Sequence, residues 1–131
     1  ASFNCIDHIV GDSFSSCLRV LNLAFNSLDS DDMESMVGLT KLGNLQLLYL
    51  SNNLISSLPR SFGMMKLLDL YLSENKFKEL PLAVNHMTTL QKLSMACNSL
   101  ATLPKSINLL NNLKFLDLSF NHIVDLPESI T

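Results

Sequence analysis

Side chains capable of catalysis or metal binding are few in this 131-residue sequence, and they lie far apart. The histidines His8, His86 and His122 and the cysteines Cys5, Cys17 and Cys97 lack the spacing that closes a ligand set around a metal. Only four glycines occur, and none builds a phosphate-cradling loop. There is no nucleophile elbow, no zinc-binding helix motif and no carboxylate pair at acid–base spacing. The sequence therefore reads as non-enzymatic, with no cofactor and no metal. The polar side chain that does recur in a fixed pattern is asparagine, whose carboxamide carries two donors and an acceptor. Asn26, Asn53, Asn75, Asn98 and Asn121 follow one another at intervals of 27, 22, 23 and 23 residues.

Each of these asparagines closes the same aliphatic segment, at 18–28, 45–55, 67–77, 90–100 and 113–123. The segments fit Leu-x-x-Leu-x-Leu-x-x-Asn-x-Leu, with Met95, Ile55, Phe77 and Ile123 as apolar replacements. The core of each (Leu21/Leu23, Leu48/Leu50, Leu70/Leu72, Leu93/Met95, Leu116/Leu118) alternates apolar and variable residues, the period of a short strand. Identical units lay such strands side by side in parallel, which requires a crossover that is almost always right-handed. The asparagine sits where the chain leaves the strand, and there backbone N–H and C=O groups need partners. A ladder of carboxamides is expected, each bonding its own turn and the next unit. Asn4, 22 residues before Asn26, extends the ladder to Asn4, Asn26, Asn53, Asn75, Asn98 and Asn121.

The connectors carry a second pattern. Leu58-Pro59, Leu80-Pro81, Leu103-Pro104 and Leu126-Pro127 each lie five residues after the asparagine, and an apolar residue follows the proline (Phe62, Val84, Ile107, Ile130). Proline fixes φ and has no N–H, which suits an extended descent. Val84/Met87/Leu90 and Ile107/Leu110/Leu113 then recur every three residues, the spacing of a 3₁₀ turn or of one short helix turn. The first connector, 29–44, is longer and lacks Leu-Pro. Ser30 or Asp31 there caps a short helix that turns Met33, Met36 and Val37 inward and ends at Gly38.

The chain is 47% hydrophobic and 28 of its residues are leucine, which suits a stack of like layers. A net charge of −3 argues against nucleic acid, whose binders carry a basic stripe. No apolar run approaches the roughly 20 residues of a membrane span. An odd number of scattered cysteines, with no Asn-x-Ser/Thr among 13 asparagines, points to a reducing, cytoplasmic setting. Half-units at either end, with no capping segment, suggest an excerpt of a longer array. Self-association through uncapped ends is expected of such an excerpt.

The segments together resemble the short, Leu-Pro-containing class of leucine-rich repeat. They look like those of the intracellular Ras-group repeat proteins and of polarity scaffolds that join such repeats to PDZ domains. The resemblance covers essentially the whole of 1–131 as a single domain, with a partial unit at 1–17 and full units from 18, 45, 67, 90 and 113. The departures are the long first unit, Val10 in place of the proline, and Met95-Ala96-Cys97 in the fourth strand. The resemblance implies an α/β fold: a right-handed solenoid with a parallel concave β-sheet and a mostly irregular or 3₁₀ convex side. It also implies a protein-binding role.

In that architecture the variable strand positions form columns on the concave face. The central column is Asn22, Tyr49, Tyr71, Ser94, Asp117, and beside it runs Val20, Leu47, Asp69, Lys92, Phe115. Tyr49, Tyr71, Asp69, Glu74, Lys92, Phe115 and Asp117 are therefore the candidate protein-binding residues, the tyrosine pair being the most interface-like. The small column Ala24, Ser51, Ser73, Ala96, Ser119 is expected where strands crowd. In the column Phe25, Asn52, Glu74, Cys97, Phe120 the phenylalanines are expected to stack inward as a spine. The expected function is a non-catalytic scaffold gripping a protein partner. The alternatives are a recognition domain of a larger signalling enzyme and a segment of a receptor ectodomain.

Overall fold

The computed structural model describes residues 19–35, 37, 40 and 42–124, with only the backbone given for 33–35. The expectations placed on Phe3, Asn4, Cys5, His8, Val10, Cys17, Gly38, the Leu126-Pro127 pair and Ile130, and on the side chains of Met33 and Met36, lie outside the described residues. Five three-residue strands form one sheet in chain order: β1 (Val20–Asn22), β2 (Leu47–Tyr49), β3 (Asp69–Tyr71), β4 (Lys92–Ser94) and β5 (Phe115–Asp117). All four pairings are parallel, and each joins equivalent residues without offset, so Leu21, Leu48, Leu70, Leu93 and Leu116 share one row.

Burial follows the alternation. The central leucine of β1 to β4 is buried while its neighbours on the strand face outward. The next apolar residue, Leu23, Leu50, Leu72 or Met95, is buried too, and Met95 is as fully enclosed as the leucines it replaces. Leu28, Ile55, Phe77 and Leu100 form a third buried row, and Phe62, Val84 and Ile107 a fourth from the connectors. These rows make one continuous apolar file, and removing that surface from water is the main force that holds the units in a stack. Toward β5 the enclosure weakens, and Leu113, Leu116, Leu118 and Ile123 are only partly buried.

Parallel bonding outruns the strands. After β1 the Leu23 N–H donates to the Tyr49 carbonyl at 2.8 Å and the Phe25 N–H to the Ser51 carbonyl at 3.0 Å. The same two bonds recur from Leu50 and Asn52, from Leu72 and Glu74, and from Met95 and Cys97. Each connector then descends through a proline. Pro59, Pro81 and Pro104 hold φ between −58 and −72° with extended ψ, and each carbonyl accepts from the N–H three residues on, opening a 3₁₀ turn. The turns Arg60–Met64, Leu82–His86 and Lys105–Leu109 bury Phe62, Val84 and Ile107.

Gly63 lets two of these turns approach. A Cβ at that position would sit 3.0 Å from the Ala83 carbonyl oxygen and 3.0 Å from His86 Cβ. The first contact is with backbone, which cannot swing aside.

The first connector does contain a helix, α1 (Ser30–Ser35), but its cap differs from expectation. Asp29, not Ser30 or Asp31, caps it. Its Oδ1 accepts from the Asp31 and Asp32 N–H groups, and Asp32 Oδ2 accepts from the Asp29 N–H in return. The reciprocal pair satisfies donors that a helix start leaves open. Ser30 instead joins the next unit, with its Oγ 2.6 Å from Ser56 Oγ. Val37, expected inward, is 39% exposed, because the helix ends at Ser35 and does not carry its apolar face that far.

Gly63→Ala is expected to lower stability by about 1–3 kcal/mol through overpacking, read as a lower midpoint in urea unfolding. A gain in stability there would mean that the close contact of the two turns is not tight.

Candidate functional site

The face carrying the candidate residues is aimed by the corner that ends each strand, and asparagine builds that corner. Asn53 Oδ1 accepts from the Leu28 N–H at 3.1 Å, and its Nδ2 donates to the carbonyls of Leu23 at 3.0 Å and of its own Leu50 and Ser51. Asn75 repeats this with Ile55 and Leu50 of the unit before, Asn98 with Phe77 and Leu72, and Asn121 with Leu100 and Met95. Asn26 donates to Leu23 and Ala24 in its own turn. The cross-unit bonds thus reach back to the preceding unit rather than forward to the next. The reason is that the turn before it presents an N–H two residues past its own asparagine.

The residue just before each asparagine is strained in a uniform way. Phe25, Asn52, Glu74, Cys97 and Phe120 all have φ between 54 and 59°, the left-handed region. A non-glycine residue there costs of order 1–3 kcal/mol. The kink is kept because it points that residue's N–H at the neighbouring unit while the asparagine turns inward. It also overturns the expected phenylalanine spine. Phe25 is 50% and Phe120 81% exposed, because the left-handed backbone throws their side chains out of the stack.

On the sheet face the columns stand in register as the strands dictate. Tyr49 and Tyr71 are opposite each other, their ring centroids 4.7 Å apart and their planes 3° from parallel. Asp69 lies beside Tyr71 on the same strand. Burial, reinforced by the Asp69 charge and by Tyr49, pushes the Tyr71 phenol above its ordinary value. Lys92 pairs in register with Asp69 on one side and Phe115 on the other, with Phe115 about half exposed. Asp117 Oδ1 accepts from both the N–H and the hydroxyl of Ser119, at 3.0 and 2.6 Å, and these bonds hold its carboxyl below the usual range. Glu74 stands apart at the left-handed corner, where its Oε2 accepts from Asn52 Nδ2 at 2.8 Å. The structure therefore brings Tyr49, Tyr71, Asp69, Lys92, Phe115 and Asp117 onto one face and leaves Glu74 on its rim.

The small column also has a chemical reason. Ser51 Oγ accepts from the Ser73 N–H, Ser73 Oγ from the Ala96 N–H, and Ser73 and Ser94 hydroxyls lie 2.6 Å apart. Serine here takes up backbone donors that the ladder leaves free, as well as saving space.

A second exposed feature escaped the sequence reading. Between the turns Arg60–Met64 and Leu82–His86 runs a groove of about 490 Å³, lined by Arg60, Gly63, Met64, Leu82, Ala83 and His86. Met64 is 82% exposed and Leu82 60%. The signal lay in apolar residues flanking the buried position of each 3₁₀ turn, which a three-residue period hides. Among the described residues no group of histidine, cysteine and carboxylate side chains could hold a metal ion, and no helix is long and apolar enough to cross a membrane.

Parallel strands added in chain order on one apolar file, each closed by the same asparagine corner, define a solenoid of repeats. The chain is a leucine-rich repeat protein. Leucine rich repeat family descriptions match residues 18–77 and 112–131. A solved leucine-rich repeat protein of Leptospira interrogans is similar at 34% identity and a TM-score of 0.78, over 88% of this chain. The chain spans 29% of the length of that relative. No curated protein matches the sequence significantly. Domains of this family generally mediate protein–protein interaction and are typically non-catalytic. As 233 solved chains are similar to this one, the likeness identifies an architecture and does not select a partner.

The asparagine corner predicts that Asn75→Ala strands the buried Ile55 N–H and leaves the Leu50 and Leu72 carbonyls with only their bonds from Asn53 and Asn98, costing about 1–3 kcal/mol. An unchanged urea midpoint would refute it. Tyr71 supplies a second measurement. Tyr49→Phe leaves Tyr71 as the only tyrosine, and its phenolate absorbance should appear at a pH above the ordinary value near 10. Asp69→Asn should lower that midpoint. Since the folded value is the raised one, any stability linked to it is present at neutral pH and lost as pH climbs past the ordinary tyrosine range.

Proposed function

We propose that the chain binds a protein partner across the exposed face of its sheet, with no catalysis of its own. The observation that carries this reading is the stacked Tyr49–Tyr71 pair, half-buried at the centre of a face that no other described element covers. Tyrosine joins a large apolar ring to a hydroxyl and loses little rotamer freedom on binding, the profile of an interface hot spot. Asp69, Lys92, Phe115 and Asp117 surround it with charge and one further aromatic, as a polar rim surrounds a hot spot. Within a longer protein the same face serves either a scaffold or a signalling enzyme whose chemistry lies elsewhere.

A cytoplasmic setting remains part of the proposal. Cys97 is a free, exposed thiol, which is more easily maintained in a reducing compartment.

Tyr49→Ala/Tyr71→Ala is expected to lower capture of the partner from cell extract at least tenfold, while circular dichroism and the unfolding midpoint stay near wild type. Met64→Ala/Leu82→Ala in the connector groove is the matched control. If it abolishes capture and the tyrosine variant does not, the partner docks on the connector side and the sheet face is not the interface.

A further inference from the structure

The groove on the connector side is not a consequence of the repeat pattern. Residues three apart in a 3₁₀ turn eclipse one another. Arg60 and Gly63 therefore share one edge of the turn Arg60–Met64, and Ala83 and His86 share one edge of the turn Leu82–His86. These edges face each other, since a Cβ on Gly63 would meet the Ala83 carbonyl oxygen and His86 Cβ, both at 3.0 Å. Each edge pairs a small residue with a basic one. The small pair sets the floor of the 490 Å³ groove, and the exposed Met64 and Leu82 flank it. The next junction repeats the backbone with a different filling. Its equivalent edges are Leu82 and Asn85 against Ser106 and Leu109, with no basic residue on either. The place of Gly63 is taken there by Asn85, which is only 7% exposed.

Charge on this side is of one sign. The segments 60–66, 82–88 and 105–111, which make the connector turns, contain Arg60, Lys66, His86 and Lys105, all exposed. They contain no aspartate or glutamate, in a chain whose net charge is −3. The adjoining depression shares Arg60 and Leu82 with the groove and is also lined by Glu79. Even so, among the described residues no carboxylate lies within 4.0 Å of the Arg60 guanidinium. We propose that the groove is a second binding site, which takes an acidic peptide segment. An apolar side chain of the peptide rests on the Gly63–Ala83 floor between Met64 and Leu82, and a nearby carboxylate is held by Arg60. The volume is within the range of about 300–1,000 Å³ that ligand sites take. A guanidinium grips both oxygens of a carboxylate, and a flexible methionine adapts to the apolar group beside it. A basic segment is repelled here. A flat anionic bilayer meets the rims of the turns and leaves the floor empty. The site stands apart from the sheet face, and neither reading depends on the other.

Two properties of the chain make the test direct. Arg60, Met64 and Leu82 are exposed, so their replacement leaves the apolar file intact. Lys105 is the equivalent of Leu82 one unit on and does not line the groove, so it serves as a control for general charge attraction.

Random peptides displayed on phage would be selected on the immobilised 131-residue chain carrying Tyr49→Ala/Tyr71→Ala, which removes the sheet-face pair, and the best binder synthesised with a fluorescent label. The expected result is enrichment of an aspartate or glutamate close to a large apolar residue. Arg60→Glu should weaken that peptide at least tenfold and Arg60→Lys by less, while Met64→Ala/Leu82→Ala costs about tenfold. Unfolding midpoints should stay near that of the parent, and restoring both tyrosines should leave the affinity unchanged. A selection that enriches nothing, peptides without an acidic residue, or acidic peptides that bind Arg60→Glu equally well would each overturn the site. So would an equal loss on Lys105→Glu, which would mean attraction by charge alone. Attachment to phosphatidylserine vesicles that Met64→Ala/Leu82→Ala abolishes would assign the turns to a membrane surface and overturn the peptide. Sedimentation showing self-association that Arg60→Glu dissolves would give the groove to the acidic 29–34 connector of a second copy and overturn a separate partner. The sheet-face reading stands or falls on its own variant in every case.

Discussion

The structure depends on a backbone that turns a corner while still inside the stack. A corner on the surface would find water, but this one is flanked by other corners and closed off by the apolar file. Its N–H and C=O groups must be paired by protein or left at a cost of about 1–3 kcal/mol each. Asparagine meets that demand because one planar group accepts from the unit before and donates to both units at once. An aspartate has no donor to give, and a leucine has neither donor nor acceptor. The unpolarised length of the side chain matters as well: Asn53, Asn75 and Asn98 are themselves buried, so the carboxamide must reach its partners without a flexible stem.

The left-handed residue before each asparagine is the counterpart of that solution. Strain at Phe25, Asn52, Glu74, Cys97 and Phe120 is repeated in every described unit, and what repays it is a backbone bond to the neighbour for most of them. Because the strain fixes backbone rather than side chain, residue type there is nearly free, which explains why five units show phenylalanine, asparagine, glutamate and cysteine in one column. The same decoupling holds on the strands. The inward residue is dictated by packing, and the outward residue is left to chemistry, which is how Tyr49 and Tyr71 come to face solvent on a sheet whose inward row is leucine throughout.

Much of this was legible in the sequence. Strict recurrence of the asparagine placed all five strands and their zero-offset pairing, since a period that repeats can only stack like on like. Three-residue spacing after Pro81 and Pro104 read as a 3₁₀ turn or a short helix turn, and the chain takes the 3₁₀ form at both. What failed did so where tertiary context overrode a local pattern. Ser30 is a good cap by type, but it is pulled to Ser56 of the next unit, and Asp29 takes the cap in its place. The phenylalanines look like core by hydrophobicity, and only the sign of φ, which residue type does not encode at a non-glycine position, puts them outside. The reach of each asparagine back to the preceding unit was likewise invisible, because spacing has no direction. The tyrosine columns were predictable from register, whereas the groove beside Gly63 needed the two turns to be seen side by side.

The long interval between Asn26 and Asn53 makes a wider point about such arrays. Twenty-seven residues with a helix separate these two asparagines where 22 or 23 suffice elsewhere, yet Asn53 makes the same contacts to Leu28 and Leu23 that its counterparts make. Hydrogen bonding, and not chain length, keeps the count of the rungs. Slack is therefore harmless on the connector side. A lineage could lengthen, shorten or redecorate those outer segments over time while the inner face kept its geometry, so the back of the array is free to vary without disturbing the front.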